Sequence, residues 1–205
     1  MAGSLKTGDL VAGRFRIERE AGMGGMGRVY RAVEGEHAVA LKVLHAADDA
    51  SRERFEREGR ILSALSHPSI VGYVAHGEHD GQPFIAMEWL DGEPLSVRLK
   101  RGPLATNDAA ALGVRIAEAL ASAHEAGVLH RDVKPSNLIL GESDREVRVV
   151  DFGVARRARE THGVTRTGMI VGSCAYMSPE QALAQRDIDA RSDLFSLGCV
   201  LYECV

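Results

Sequence analysis

The run His130-Arg131-Asp132-Val133-Lys134-Pro135-Ser136-Asn137 sets a carboxylate, an ammonium and a side-chain amide close together on one short stretch. Asp132 can accept the proton of a hydroxyl nucleophile or orient it. Lys134 can neutralise charge on a phosphoryl group in transfer, and the Asn137 amide oxygen can hold a metal ion. Five specified residues at fixed spacing recur by chance on the order of 10⁻⁴ times in a chain of this length. An ordinary charged helix-to-strand loop does not compete with that figure. Further on, Asp151-Phe152-Gly153 follows the apolar stretch VRVV. A carboxylate leaving a strand at this point can bind Mg²⁺ that bridges phosphates.

A second constellation lies near the N-terminus. Gly22-Met23-Gly24-Gly25-Met26-Gly27-Arg28-Val29 fits G-x-G-x-x-G-x-V. Glycines let backbone amides close on a polyphosphate, and the valine can cover a purine ring. A flexible hairpin turn looks the same, so the pattern alone is weak. Strand-like sequence on both sides argues against the dinucleotide fold, which needs a helix after the glycines. Val39-Ala40-Leu41-Lys42 then places a lysine in an apolar strand, where it is costly unless paired. Glu58 is the inward candidate partner, because helical spacing puts it near the face of Leu62 and Leu65; Glu53 and Glu56 are the rivals. The chain carries 21 arginines and only four lysines, Lys6, Lys42, Lys100 and Lys134. Two of these four stand in the candidate sites, where a compact ammonium is wanted.

The elements that must position these groups follow from periodicity. Residues 15–20, RVYRAV, HAVALKVL, HPSIVGYVAHG and PFIAMEWL alternate or run apolar as strands do, with one helix expected over residues 48–66. The turn-rich Leu90 to Pro94 is the expected hinge. A long helix is expected from Thr106 or Asn107 as N-cap to Gly127 as C′. Short strands at LIL and VRVV, an irregular stretch over 151–179 and a last helix over about 190–205 complete the chain. A strand-rich part followed by a helix-rich part is an α+β arrangement.

Composition narrows the function classes. With 25 basic against 29 acidic residues and net charge −4, no global field favours nucleic acid or an anionic membrane. Three cysteines without a CxxC pair argue against a disulfide framework or zinc site and read as small buried hydrophobes. Apart from His130, the eight histidines show no ligand spacing and read as surface or core residues. The N-terminus shows no secretion signal and no window reaches the apolar length of a membrane span, so a cytoplasmic location is expected.

From about Leu10 onward the sequence resembles the eukaryotic-type (Hanks-type) serine/threonine protein kinases, bacterial branch. The resemblance rests on the glycine loop, VALK, HPSIV, MEWLDG, HRDVKPSN, DFG, SPE and SDLFSLG. It implies a two-lobe fold with a β-rich N-lobe over 1–89 and a mainly helical C-lobe over 90–205. It implies ATP with Mg²⁺ (Mn²⁺ as the alternative), a protein substrate, and a homodimer for autophosphorylation. Asp132 would be the catalytic base, assisted by Lys134, with Asn137 and Asp151 as metal ligands. Ala21, Gly22, Gly24, Gly25, Gly27, Val29, Ala40 and Lys42 would line the nucleotide, with Lys42 paired to Glu58. Met87 would be the gatekeeper, and the backbone of Glu88 and Leu90 would meet adenine. Leu62, Tyr73, His130 and Phe152 would stack as a spine, and Asp193 would hold the catalytic-loop backbone. Thr165 and Thr167 would be autophosphorylated, with Arg131 pairing the phosphate. Ser173 stands where related kinases carry threonine.

The resemblance also implies departures. Serine replaces the usual alanine in Ser178-Pro179-Glu180. LFSLGCVLYECV corresponds to the central helix of the C-lobe, so the lobe reads as incomplete: the arginine that normally pairs with Glu180 is missing and the last helix is expected to expose apolar surface. Two other functions compete with a kinase. One is a catalytically inactive nucleotide-binding or interaction module. The other is a small-molecule phosphotransferase, which usually lacks counterparts of Arg131, Lys134 and Ser178 to Glu180.

Overall fold

The computed structural model describes residues 4–24, 27–44, 59–60, 62–141, 146–152, 174–185 and 187–205. The described chain divides into two units, residues 1–66 with 72–90 and residues 67–71 with 91–205.

The first unit is an antiparallel sheet of six strands: β1 Leu10–Val11, β2 Phe15–Gly24, β3 Gly27–Glu34, β4 His37–Leu44, β5 Tyr73–His79 and β6 Gln82–Glu88, in the order β1-β2-β3-β4-β6-β5. Alternation assigns its faces. Val39, Leu41 and Val43 on β4 are buried while Ala38, Ala40 and Lys42 point the other way and are only partly buried. The buried face joins Phe15, Ile17, Tyr30, Ala32, Phe84 and Ala86 in one core, with Phe15 and Phe84 meeting edge to face at 5.8 Å. Gly27 is required for packing. A Cβ there would overlap the Val43 carbonyl oxygen across the β3–β4 ladder. Of the helix expected over 48–66, residues 59, 60 and 62 are helical and most of the remainder lies outside the described residues.

The second unit carries β7 Glu93–Pro94, the short helix α1 Leu95–Arg98, the long helix α2 Thr106–Glu125, β8 Leu138–Leu140, β9 Val147–Val149, the four-residue helix α3 Pro179–Ala182 and α4 Ala190–Cys204. Helix α2 buries Leu112, Ile116, Ala119, Leu120 and Ala123, a stripe at helical period. Each buried leucine or isoleucine contributes about 1.5–3 kcal/mol. Gly113 allows the close approach of α4, since a Cβ there would press on the Leu201 methyls. The helix begins one residue earlier than its capping residues suggested: Ala105 is the N-cap and no side chain caps it. Gly127 does stand at C′ with φ +75°. Cys204 is buried, which pushes its thiol up to about 11, and Cys199 is half-buried. Leu194, Phe195 and Tyr202 are exposed on α4.

Residues 67–71 differ from expectation. HPSIV reads as part of a strand of the first unit, but β5 begins only at Tyr73 and these five residues belong to the second unit. Their backbone is claimed by β9: Val149 N–H donates to Ser69 O at 2.8 Å, Val71 N–H donates to Val149 O at 3.1 Å, and Ile70 forms a parallel bridge with Val149. No described helix is long and apolar enough to cross a membrane.

Candidate active site

In the first unit, strand register assembles one face. Val29 lies opposite Lys42, Ala40 lies opposite Met87, and Lys42 also lies opposite Ile85. Directly opposed residues in antiparallel strands share a face. Val29, Ala40, Lys42 and Met87 therefore stand together on the side away from the apolar core. Gly22 pairs with Val29 toward the turn end of the β2–β3 hairpin, next to the exposed Ala21, and Gly24 pairs with Gly27. At the end of β6 the Glu88 N–H donates to Gly72 O at 2.8 Å, and the Gly72 N–H donates to Glu88 Oε1 at 2.9 Å. A purine at this edge would have to use the Glu88 carbonyl rather than its amide. Leu90 ends the first unit, half-buried. Gly25, Glu58, Gly153, Thr165, Thr167 and Ser173 lie outside the described residues.

In the second unit the catalytic-type loop is held from below. Asp193, 1% exposed, accepts hydrogen bonds from His130 N–H at 2.8 Å and Arg131 N–H at 2.6 Å. His124 Nε2 meets the same carboxylate at 2.8 Å, a contact that no spacing in the sequence signalled. Fully buried His130 sits against the Phe152 ring at 4.7 Å. Its Nδ1 accepts the Asp132 N–H at 3.2 Å, so Nε2 carries the proton and donates to Val150 O at 3.0 Å. Leu62 and Tyr73, the other expected spine residues, belong to the first unit.

Burial holds the His130 pKa below the usual histidine value of 6.5, with Asp193 opposing. The unfolded chain therefore binds more protons than the folded one just below that pH, and stability is lost as pH falls from about 6.5. Urea midpoints measured from pH 7.5 down to 5.5 are expected to decline. His130→Phe should flatten that decline, and an equal slope in both proteins would show that His130 is not its source.

Above this support, Lys134 Nζ meets Asp132 Oδ2 at 2.7 Å, with both side chains mostly buried. Asn137 Nδ2 donates to Asp132 O at 2.8 Å and to Asp132 Oδ2 at 3.2 Å. Those two bonds turn the amide oxygen away from Asp132. A helical turn over Pro135–Asn137 feeds β8, whose Leu138 pairs with Val149, and Val150 N–H donates to Asn137 O at 3.0 Å. The ladder thus brings Asn137 and Asp151 to the same end of the β8–β9 pair. Arg131 (φ +62°) and Asp151 (φ +56°) both adopt the left-handed region that non-glycine residues avoid. An amide oxygen and a carboxylate are hard oxygen donors, and two protein ligands with the rest from phosphate and water is how Mg²⁺ is commonly bound. The residues fit a divalent cation.

A family model described as a protein kinase domain matches residues 15–205. The chain belongs to the protein kinase family. This kinase domain is 41% identical over 199 residues to serine/threonine-protein kinase pkn2 of Myxococcus xanthus, covering 93% of the chain and 24% of that protein. It is 38% identical over 206 residues to a probable serine/threonine-protein kinase PknB of Lactococcus lactis, covering 97% of the chain and 32% of the relative. For PknJ of Mycobacterium tuberculosis the figures are 41% over 210 residues, 98% and 35%. The chain thus spans between about a quarter and a third of the length of these curated relatives. Among solved structures, the Mycobacterium tuberculosis PknI kinase domain superposes with a TM-score of 0.79 at 32% identity, covering 98% of this kinase domain and 77% of that chain.

In α3, Glu180 has a partner that no local spacing supplies. Ser192 Oγ donates to Glu180 Oε1, and this bond holds the carboxyl below the usual carboxylate range. Ser178 caps α3, and Gln181 reaches back to it.

Proposed function

We propose that this chain is a serine/threonine protein kinase, transferring the γ-phosphoryl of ATP to protein hydroxyls. The observation that carries this reading is the Asp132–Lys134–Asn137 cluster at the end of the β8–β9 ladder that also bears Asp151. Asp132 takes or orients the proton of the attacking hydroxyl. Lys134, held on Asp132, presents positive charge where phosphoryl charge develops. Asn137 and Asp151 would hold the divalent cation, Mg²⁺ in preference to Mn²⁺, whose contribution is to screen phosphate charge and orient the γ-group. In the first unit the glycine hairpin with Ala21, Gly22, Gly24, Gly25 and Gly27 would close over the phosphates. Val29, Ala40 and Met87 would line the purine and the Glu88 and Leu90 backbone would meet its edge. Lys42, paired with Glu58, would fix the phosphates.

Incubation with γ-labelled ATP and Mg²⁺ tests the reading, with covalent label on serine or threonine expected. Thr165 and Thr167 are the expected autophosphorylation sites, with Arg131 as the phosphate partner and a transient homodimer as the route. Phosphate found only elsewhere would remove them. A folded protein that binds ATP without transfer would instead be an interaction module. A cytoplasmic location and protein substrates complete the proposal. Lys42→Met is expected to lower transfer by about 10²-fold or more through misplaced phosphates. Wild-type rates in that variant would break the assignment of Lys42.

A further inference from the structure

We propose that Gln181 is a positioning residue for the catalytic loop, clasping the strained Arg131 peptide from the short helix α3. This inference rests on the kinase reading for its effect on turnover. The Arg131 backbone, at φ +62°, is gripped at both ends: its N–H donates to Asp193 Oδ1 at 2.6 Å, and its carbonyl accepts from Gln181 Nε2 at 2.8 Å. A non-glycine residue persists in the left-handed region only where its surroundings over-determine it. Its carbonyl leads directly into Asp132, so the clasp fixes the peptide plane from which the proposed base projects.

The same amide has a second task. Gln181 Oε1 accepts the Ser178 N–H at 3.1 Å and the Gln181 N–H donates to Ser178 Oγ at 3.4 Å, a reciprocal capping box that starts α3. One end of the amide is thus spent on local helix structure and the other on a loop fifty residues earlier in the chain. The two roles separate chemically. Glutamate at this position preserves the capping acceptor but replaces the donor with an oxygen that faces the Arg131 carbonyl.

Wild type and Gln181→Glu are compared by hydrogen–deuterium exchange over residues 128–134, by melting, and by steady-state transfer from γ-labelled ATP. The expected result is exchange and kcat each altered by about tenfold, faster and slower respectively, the size of one lost hydrogen bond. KM for ATP is expected to stay within about twofold, and the melting temperature to fall by no more than the about 3–6 °C that a tenfold loss converts to, because the cap survives. Unchanged exchange overturns the proposal, and so does faster exchange with unchanged kcat. If the wild type transfers no phosphate, the kinase reading fails by itself. The exchange comparison then decides the clasp alone: faster exchange supports it and equal exchange rejects it.

Discussion

Replacing Asp132 with asparagine is expected to lower phosphoryl transfer by about 10²–10⁴-fold while ATP affinity stays within about twofold. The geometry explains why the variant is a clean one. Asp132 Oδ2 receives Lys134 Nζ at 2.7 Å and Asn137 Nδ2 at 3.2 Å. The asparagine Oδ1 can keep an oxygen toward both donors, so shape and local bonding persist. What disappears is the ability to take a proton from an incoming hydroxyl. The check is label transfer from γ-labelled ATP beside equilibrium binding of the nucleotide. Turnover within about tenfold of wild type would remove Asp132 from the role of base.

Asp193→Ala is expected to produce a large loss of stability. The carboxylate is almost completely buried and receives His130 N–H, Arg131 N–H and His124 Nε2. Each buried donor left without an acceptor costs about 1–3 kcal/mol. A total of about 4 kcal/mol lowers the melting temperature by about 8–16 °C in a chain of this size. Asp193→Asn should fall between, because one of its two terminal atoms would present a donor to a donor. Thermal melts of the three proteins check the ordering, and an alanine variant melting within about 2 °C of wild type would show that water replaces the carboxylate.

Much of this arrangement was legible in the residues. Local alternation is enough to find β2 to β4, and the spacing from His130 to Asn137 is enough to mark the loop. Period and register together then put Val29, Ala40 and Lys42 on one face. What stayed hidden are partners fixed by tertiary folding. His124 read as an ordinary helix residue because its partner lies far along the chain. Gln181 carried a visible local signal, the Ser-x-x-Gln of a capping box, but nothing local announces the Arg131 carbonyl. HPSIV misled for the same reason: its apolar pattern suits a strand, while β9, a remote segment, claims its backbone. The start of α2 is a smaller case: Ala105 takes the N-cap position, and Thr106 and Asn107 lie inside the first turn instead of capping it.

The attachment of residues 67–71 to β9 also bears on how the chain is born. Ile70 leaves the ribosome about eighty residues ahead of Val149, its bridge partner. At about 5–20 residues per second, that short apolar stretch waits on the order of 4–16 s before its backbone can be satisfied. Throughout that interval the emerging polypeptide displays Ile70 and Val71 without their native ladder. Nascent-chain binding by a chaperone would therefore concentrate there, and it would be released when Val147–Val149 clears the exit tunnel.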